Sequence, residues 1–397
     1  MTLNKLLTRR QSLFLGLGAL ASISALTQAK SVHLTQRIRS LNDLDRNFAV
    51  HEEHPLRERA AAKGLIYGAA GRSTDFNLDP LLTNSFIREC SMLVPEWELK
   101  WADTAPPLRP GFHQFDFTYG DQMLAFAQTH GMLMRGHTLV WHLSIPEWFQ
   151  ETVNTGNVEQ LLTSHIRTVV GCYRGKIHSW DVVNEAVEVS DMQADSLRRS
   201  PWFELMGASY IDLAFRIAAE TDPDALLVYN DYGLEYDSYQ DEAKRVATLR
   251  LLERLKASGT PIHALGIQSH LIGDATHFNA EKFRSFLADV ASMGLKILIT
   301  ELDVIDQKLP ADIETRDRII AAAYEEYLNV ALNEPAVIAV LTWGLSDRST
   351  WHSQFYPRPD GLPVRPLPLD ENMNRKPAWY AIARAFDQAP VRTLTSL

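Results

Sequence analysis

The feature that most constrains the fold is a recurrence: short apolar runs rich in β-formers, each followed by a stretch with helical periodicity. The runs cover residues 65–69, 92–95, 132–137, 177–184, 225–230, 263–268, 296–300 and 336–343. They are apolar without strict alternation, the pattern of parallel strands covered on both faces. Helical patterns fill the intervals, for example 158–173, 203–220, 241–257, 281–293 and 312–332, and a last one at 375–386 closes the series. Eight such alternations predict an α/β protein, a single (β/α)8 TIM barrel over residues 56–390. An open doubly wound sheet would place a G-x-G-x-x-G phosphate loop after its first strand. The stretch Leu65 to Arg72 holds glycines without that spacing. The Pro-rich stretch 356–369 is not a linker, because the closing helix follows it. It reads as a long, stiff loop after the eighth strand, and no separate carbohydrate-binding module is expected.

Two of the predicted strands end abruptly in a carboxylate. One is Trp180-Asp181-Val182-Val183-Asn184-Glu185-Ala186, the other Ile299-Thr300-Glu301-Leu302-Asp303. Charge at the end of a buried strand is costly unless chemistry uses it. A lone Asn-Glu after a strand is more simply a cap or a solvated turn. Two glutamates 116 positions apart, on strand ends that converge at one face of a barrel, make a pair. Glycoside hydrolysis needs such a pair: one carboxyl to protonate the leaving oxygen, one to attack or to activate water.

These two segments, with Gly136-His137-Thr138-Leu139-Val140-Trp141-His142 and Ile267-Gln268-Ser269-His270-Leu271, resemble glycoside hydrolase family 10, the retaining endo-β-1,4-xylanases. The resemblance runs from about Leu56 to Phe386. It implies hydrolysis of the xylan backbone with Glu185 as acid/base and Glu301 as nucleophile, their carboxyl groups roughly 5–5.5 Å apart. Glu301 must stay ionised to attack, while Glu185 must carry a proton. By the same resemblance Asn184 hydrogen-bonds the 2-hydroxyl of the sugar at the cleavage point, and His270, oriented by Asp303, holds the nucleophile. Glu96, Lys100, His137, Trp141 and Gln268 are expected to bind sugar. Trp343 is expected as the floor, Trp351 as a lid and Tyr232 as a stacking platform on the leaving-group side. His142 is read as structural. One position departs from the family: where strand two normally ends Pro-Glu-Asn, this chain has Pro95-Glu96-Trp97. An indole cannot offer the amide's paired donor and acceptor. It adds a stacking surface or blocks the distal subsite, which leaves a β-1,4-glucan, a mixed-linkage glucan or short aryl glycosides open as alternative substrates. A barrel that binds sugar without cleaving it would be expected to lack one of the glutamates.

Composition bounds the partners. The net charge of −10 argues against nucleic acid or an anionic membrane surface and is indifferent to a neutral polysaccharide. No cofactor is expected, and no metal, since the histidines lack a zinc spacing. A monomer is expected. Cys90 and Cys172 are expected as two unpaired, buried thiols. At the N-terminus, Thr8-Arg9-Arg10-Gln11-Ser12-Leu13-Phe14 opens an apolar stretch that ends in the small residues Thr27-Gln28-Ala29. This reads as a signal peptide over 1–29, with the paired arginines of a twin-arginine signal, and a general secretory signal as the alternative. Residues 30–55 form a polar leader. The mature protein is expected outside the cytoplasm, in the periplasm or the medium.

Overall fold

The computed structural model describes residues 40–101, 115–274 and 278–392. The strands are β1 (Ile66–Gly71), β2 (Met92–Pro95), β3 (Leu133–Gly136), β4 (Ser179–Asn184), β5 (Leu226–Asp231), β6 (Ala264–Ile267), β7 (His270–Ile272), β8 (Lys296–Ile305) and β9 (Val337–Thr342). Each of the first five pairs in parallel with the next; β6 pairs with β8, β8 with β9, and β9 returns to β1. The result is a closed, eight-stranded parallel barrel, the TIM barrel the sequence predicts. β7 is an extra three-residue strand that pairs only with the outer half of β8.

Side chains alternate along each strand between two cores. Met92, Val94, Val228, Leu298 and Leu341 fill the barrel interior. Their neighbours Leu93, Leu227, Ile297, Ile299 and Val340 point outward under the helices. The helix Val158–Cys172 buries Leu161, Leu162, His165, Ile166, Val169 and Val170, the i, i+3, i+4 stripe that a barrel-covering helix needs. Ser238, Asn279 and Asp312 cap the helices Tyr239–Ala257, Ala280–Ser292 and Ile313–Ala331 with side-chain oxygens.

Three expectations are corrected. The predicted helix over 203–220 is two, Pro201–Met206 and Ser209–Thr221, broken at Gly207, whose φ is 61°. The seventh-strand run is longer than expected and continues past Glu301 to Ile305. Both cysteines are unpaired, but only Cys90 is buried; Cys172, the last residue of its helix, is exposed. The Pro-rich stretch does follow the last barrel strand, and Arg358 and Arg365 anchor it to Asp306 and Asp317. Among the described residues no helix is long and apolar enough to cross a membrane. The signal-peptide reading of residues 1–29 and the first part of the leader, residues 30–39, lie outside the described residues.

Candidate active site

Bulges aim the acidic pair. Along β4, Asp181 lies opposite Val228 but Val183 lies opposite Tyr229, so one extra residue is taken up just before Asn184 and Glu185. Along β8, Ile299 faces Val340 but Leu302 faces Thr342, a slip that spans Glu301. A bulge re-aims the side chains beside it. Glu185 also takes a left-handed backbone, φ 59°, a conformation that costs a non-glycine residue energy and concentrates at functional sites. Its N–H donates to Asn230 O at 2.8 Å.

Both glutamates open into one cleft of about 940 Å³ at the C-terminal ends of the strands. Asn230, the next-to-last residue of β5, lies between them. Its Nδ2 donates to Glu301 Oε1 at 2.8 Å and to Asn184 Oδ1 at 2.9 Å. Asn184 Nδ2 in turn donates to Glu185 Oε1 at 3.1 Å, and Gln268 Nε2 reaches the same oxygen at 2.9 Å. Two amides therefore bridge the carboxylates. The space for Asn230 depends on Gly266, where a Cβ would sit 2.3 Å from Asn230 Oδ1.

The other oxygen of Glu301 faces a second chain. After β6 the backbone turns through Ser269, φ 64°, and β7 begins at His270. His270 Nε2 lies 3.2 Å from Glu301 Oε2, and Nδ1 lies 2.9 Å from Asp303 Oδ1. The remaining Asp303 oxygen accepts from Trp351 Nε1 at 2.8 Å and bonds His352 Nε2 at 2.9 Å. Burial works against charge on every member, and the partners overcome it. Burial alone would raise the Glu301 carboxyl, but the His270 hydrogen bond and the positive charges of His137, His270 and Lys100 hold it below its ordinary value. Burial also opposes ionised Asp303, yet His270 and His352 keep it well below the carboxylate range. Against its own burial, His270 is pushed up to about 10 by Asp303 and Glu301. At neutral pH the row reads carboxylate, imidazolium, carboxylate, with Glu301 ionised.

On one side of the pair the cleft carries cation and indole together. The Lys100 ammonium lies 4.9 Å from the Trp141 ring centre and 5.4 Å from that of Trp343, and burial lowers its pKa. His137 Nδ1 is engaged by Asp181 at 2.9 Å; Arg135 holds that same buried carboxylate, which leaves His137 Nε2 for the cleft. Further out, Arg72 Nε bonds Glu96 Oε2 at 2.9 Å while its guanidinium lies 4.8 Å from the Trp97 ring centre. On the opposite side stands Tyr232, whose ring is covered by the Lys244 ammonium at 3.4 Å. Among the described residues, no group of three or more His, Cys, Asp or Glu side chains could hold a metal ion.

The model of glycosyl hydrolase family 10 matches residues 55–385. This chain belongs to that family. It is a glycoside hydrolase, and several named endo-1,4-beta-xylanases are among its relatives. Endo-1,4-beta-xylanase B of Thermotoga neapolitana is 35% identical over 304 residues, 76% of this chain and 82% of that protein. Among solved structures, native xylanase 10B from Thermotoga maritima superimposes with a TM-score of 0.76 at 34% identity, covering 84% of this chain and 98% of that one. Xylanase 10B from Thermotoga petrophila in complex with xylobiose gives a TM-score of 0.76 at 32% identity, covering 86% and 99%.

Every site residue expected from sequence lies at this family 10 cleft: Glu185, Glu301, Asn184, His270, Glu96, Lys100, His137, Trp141, Tyr232, Gln268, Trp343 and Trp351 line it, and Asp303 lies buried directly behind His270. Gln268, expected to bind sugar, spends its amide on Glu185. His142, read as structural, lines the cleft with Nδ1 3.8 Å from Glu185 Oε2. Burial first, and the Arg198 charge second, bring its pKa down to about 4, so this contact is not an ion pair. Sequence reasoning missed Asn230, His352, Asp181, Arg72 and Arg198. Asn230 had a signal, since it lies near the end of β5, opposite the Asn184 that ends β4; the others lie in loops or at positions where periodicity says nothing.

Proposed function

We propose that this family 10 hydrolase is an endo-1,4-β-xylanase that cleaves the xylan backbone with retention. Glu301 attacks the anomeric carbon; Glu185 protonates the leaving oxygen and then, as base, activates the water that frees the glycosyl-enzyme. The observation that carries this reading is the asymmetry between the two carboxyls. Glu301 is bonded to an imidazolium and to the Asn230 amide, and is held ionised. Glu185 has only amide donors and a neutral His142 beside it. Asn184, bonded directly to Glu185 and linked to Glu301 through Asn230, hydrogen-bonds the sugar 2-hydroxyl in this reading. Lys100, Trp141, His137 and Trp343 form the glycone wall, and Tyr232 the aglycone platform. Export is proposed on the Arg9-Arg10 signal alone, with N-terminal sequencing of protein from the culture as its check.

A second substrate reading rests on Trp97. Its indole, covered by Arg72, stands at the sequence position of the family's sugar-binding amide, a change that supports β-1,4-glucan or mixed-linkage glucan as alternatives. Product analysis on beechwood-type xylan and on barley glucan, with wild type beside Glu185→Ala, separates the readings. Xylo-oligosaccharides from wild type and none from the variant support the xylanase. Release from glucan alone overturns the substrate and leaves the mechanism.

A further inference from the structure

The side chain of Arg198 has no place in the two-carboxylate chemistry, yet it touches the acid from the aglycone side. It lies just after the isolated bridge between Val187 and Leu197, and its own N–H donates to Ala186 O at 2.7 Å. Its Nε donates to the carbonyl oxygen of Glu185 at 2.8 Å. Its Nη2 donates to the Tyr232 hydroxyl at 2.9 Å and lies 3.2 Å from Glu188 Oε2, which the same hydroxyl reaches at 3.2 Å. The Tyr232 ring is fixed from its face by Lys244, itself paired with Asp231 at 2.7 Å. One planar guanidinium thus joins the strained, left-handed peptide of Glu185 to the side chain on which the departing sugar would stack.

We infer that Arg198 is a positioning residue that fixes the Glu185 carboxyl relative to the leaving-group sugar, by clamping the Glu185 carbonyl and the Tyr232 hydroxyl together. A guanidinium can do this because its donors are fixed in one plane; an ammonium or an amide offers no equivalent fork. The inference rests on Glu185 being the acid/base. General acid help matters in proportion to how poor the leaving group is, so a displaced acid costs most when the leaving group is a sugar.

The test compares kcat/KM of wild type, Arg198→Gln, Tyr232→Phe and the double variant on two substrates. One is xylotetraose, whose leaving group is a sugar; the other is 2,4-dinitrophenyl β-xylobioside, whose leaving group needs no proton. Arg198→Gln is expected to lose about 10²-fold on xylotetraose and no more than about threefold on the aryl glycoside. The near-normal second rate also shows that the variant folds. Tyr232→Phe, which keeps the ring, is expected to lose less than Arg198→Gln on xylotetraose, and the double variant no more than Arg198→Gln alone. Equal losses on both substrates, or additive losses in the double variant, would overturn the clamp. Glu185→Ala run in parallel keeps the premises apart. If it lacks the leaving-group discrimination, the assignment of the acid fails; if it shows it while Arg198→Gln does not, only the clamp fails.

Discussion

Glu301 works because of what surrounds it. A buried carboxylate is penalised by desolvation, and here His270, Lys100 and His137 supply the positive field that keeps it ionised. Glu301→Gln keeps the shape and the Asn230 contact but removes the proposed nucleophile. Its kcat/KM on xylo-oligosaccharides is expected to fall by at least about 10⁴-fold, while binding, read by calorimetry, stays within about tenfold. The His270 pair also makes a stability prediction. Its folded pKa, about 10, lies above the unfolded value of 6.5, so its contribution is fully present below pH 6.5 and lost as pH rises towards 10. The Tm gap between wild type and His270→Asn should therefore be widest at pH 6 and close towards pH 10; a gap independent of pH contradicts the ion-pair account. At this scale the sequence was most legible where chemistry and strand ends coincide, as at Asn184-Glu185 and Glu301. It was silent on Arg198 and Arg72, whose significance comes from the cleft around them, and on His352, whose imidazole matters only because Asp303 lies 2.9 Å away.

Elements set the angles at which those residues meet. The bulges in β4 and β8 fall immediately beside the two glutamates, and a period-two reading of either strand would have aimed them wrongly. Apolar runs showed that these strands exist and that they are parallel. They could not show the bulges, which depend on register against a neighbour. The split at Gly207 was missed by reading 203–220 as one helix, although Ser200 and Pro201 are a cap and first-turn proline and Gly207 is a C-terminal stop. Close approach between β5 and β6 gives the sharpest test. Gly266→Ala would force a Cβ against the Asn230 amide, which links Glu301 to Asn184. Catalysis should fall about 10–10²-fold through misplacement, with circular dichroism unchanged. Wild-type activity in Gly266→Ala would mean that the amide bridge does not hold the pair.

The whole molecule is a barrel whose interior core ends at Trp343 and whose cleft lies at the strand C-termini. Its charge of −10 has no role in drawing a neutral polysaccharide to the cleft. Turnover of xylan is therefore expected to change less than about twofold between low and high salt, where Debye lengths fall from about 30 Å to about 3 Å. Trp97 belongs at this scale too, because it lines the cleft away from the two carboxyls and, on the reading proposed above, sets its reach rather than its chemistry. Trp97→Asn should lengthen the preferred glycone and shift the product pattern, leaving the aryl-xylobioside rate within about threefold; an unchanged pattern would show that the indole does not limit the distal end. The barrel was legible because eight buried strands leave a repeating apolar signal, whereas the depth and ends of the cleft come from loops that carry none.

The most direct measurement is covalent trapping. Incubation with a 2-deoxy-2-fluoro β-xylobioside bearing a good leaving group, followed by peptide mass spectrometry, should find one glycosyl adduct per chain, on Glu301. Product analysis by NMR should show the β-anomer first. An adduct on another residue, or no adduct together with first-formed α-product, would contradict a double displacement through Glu301.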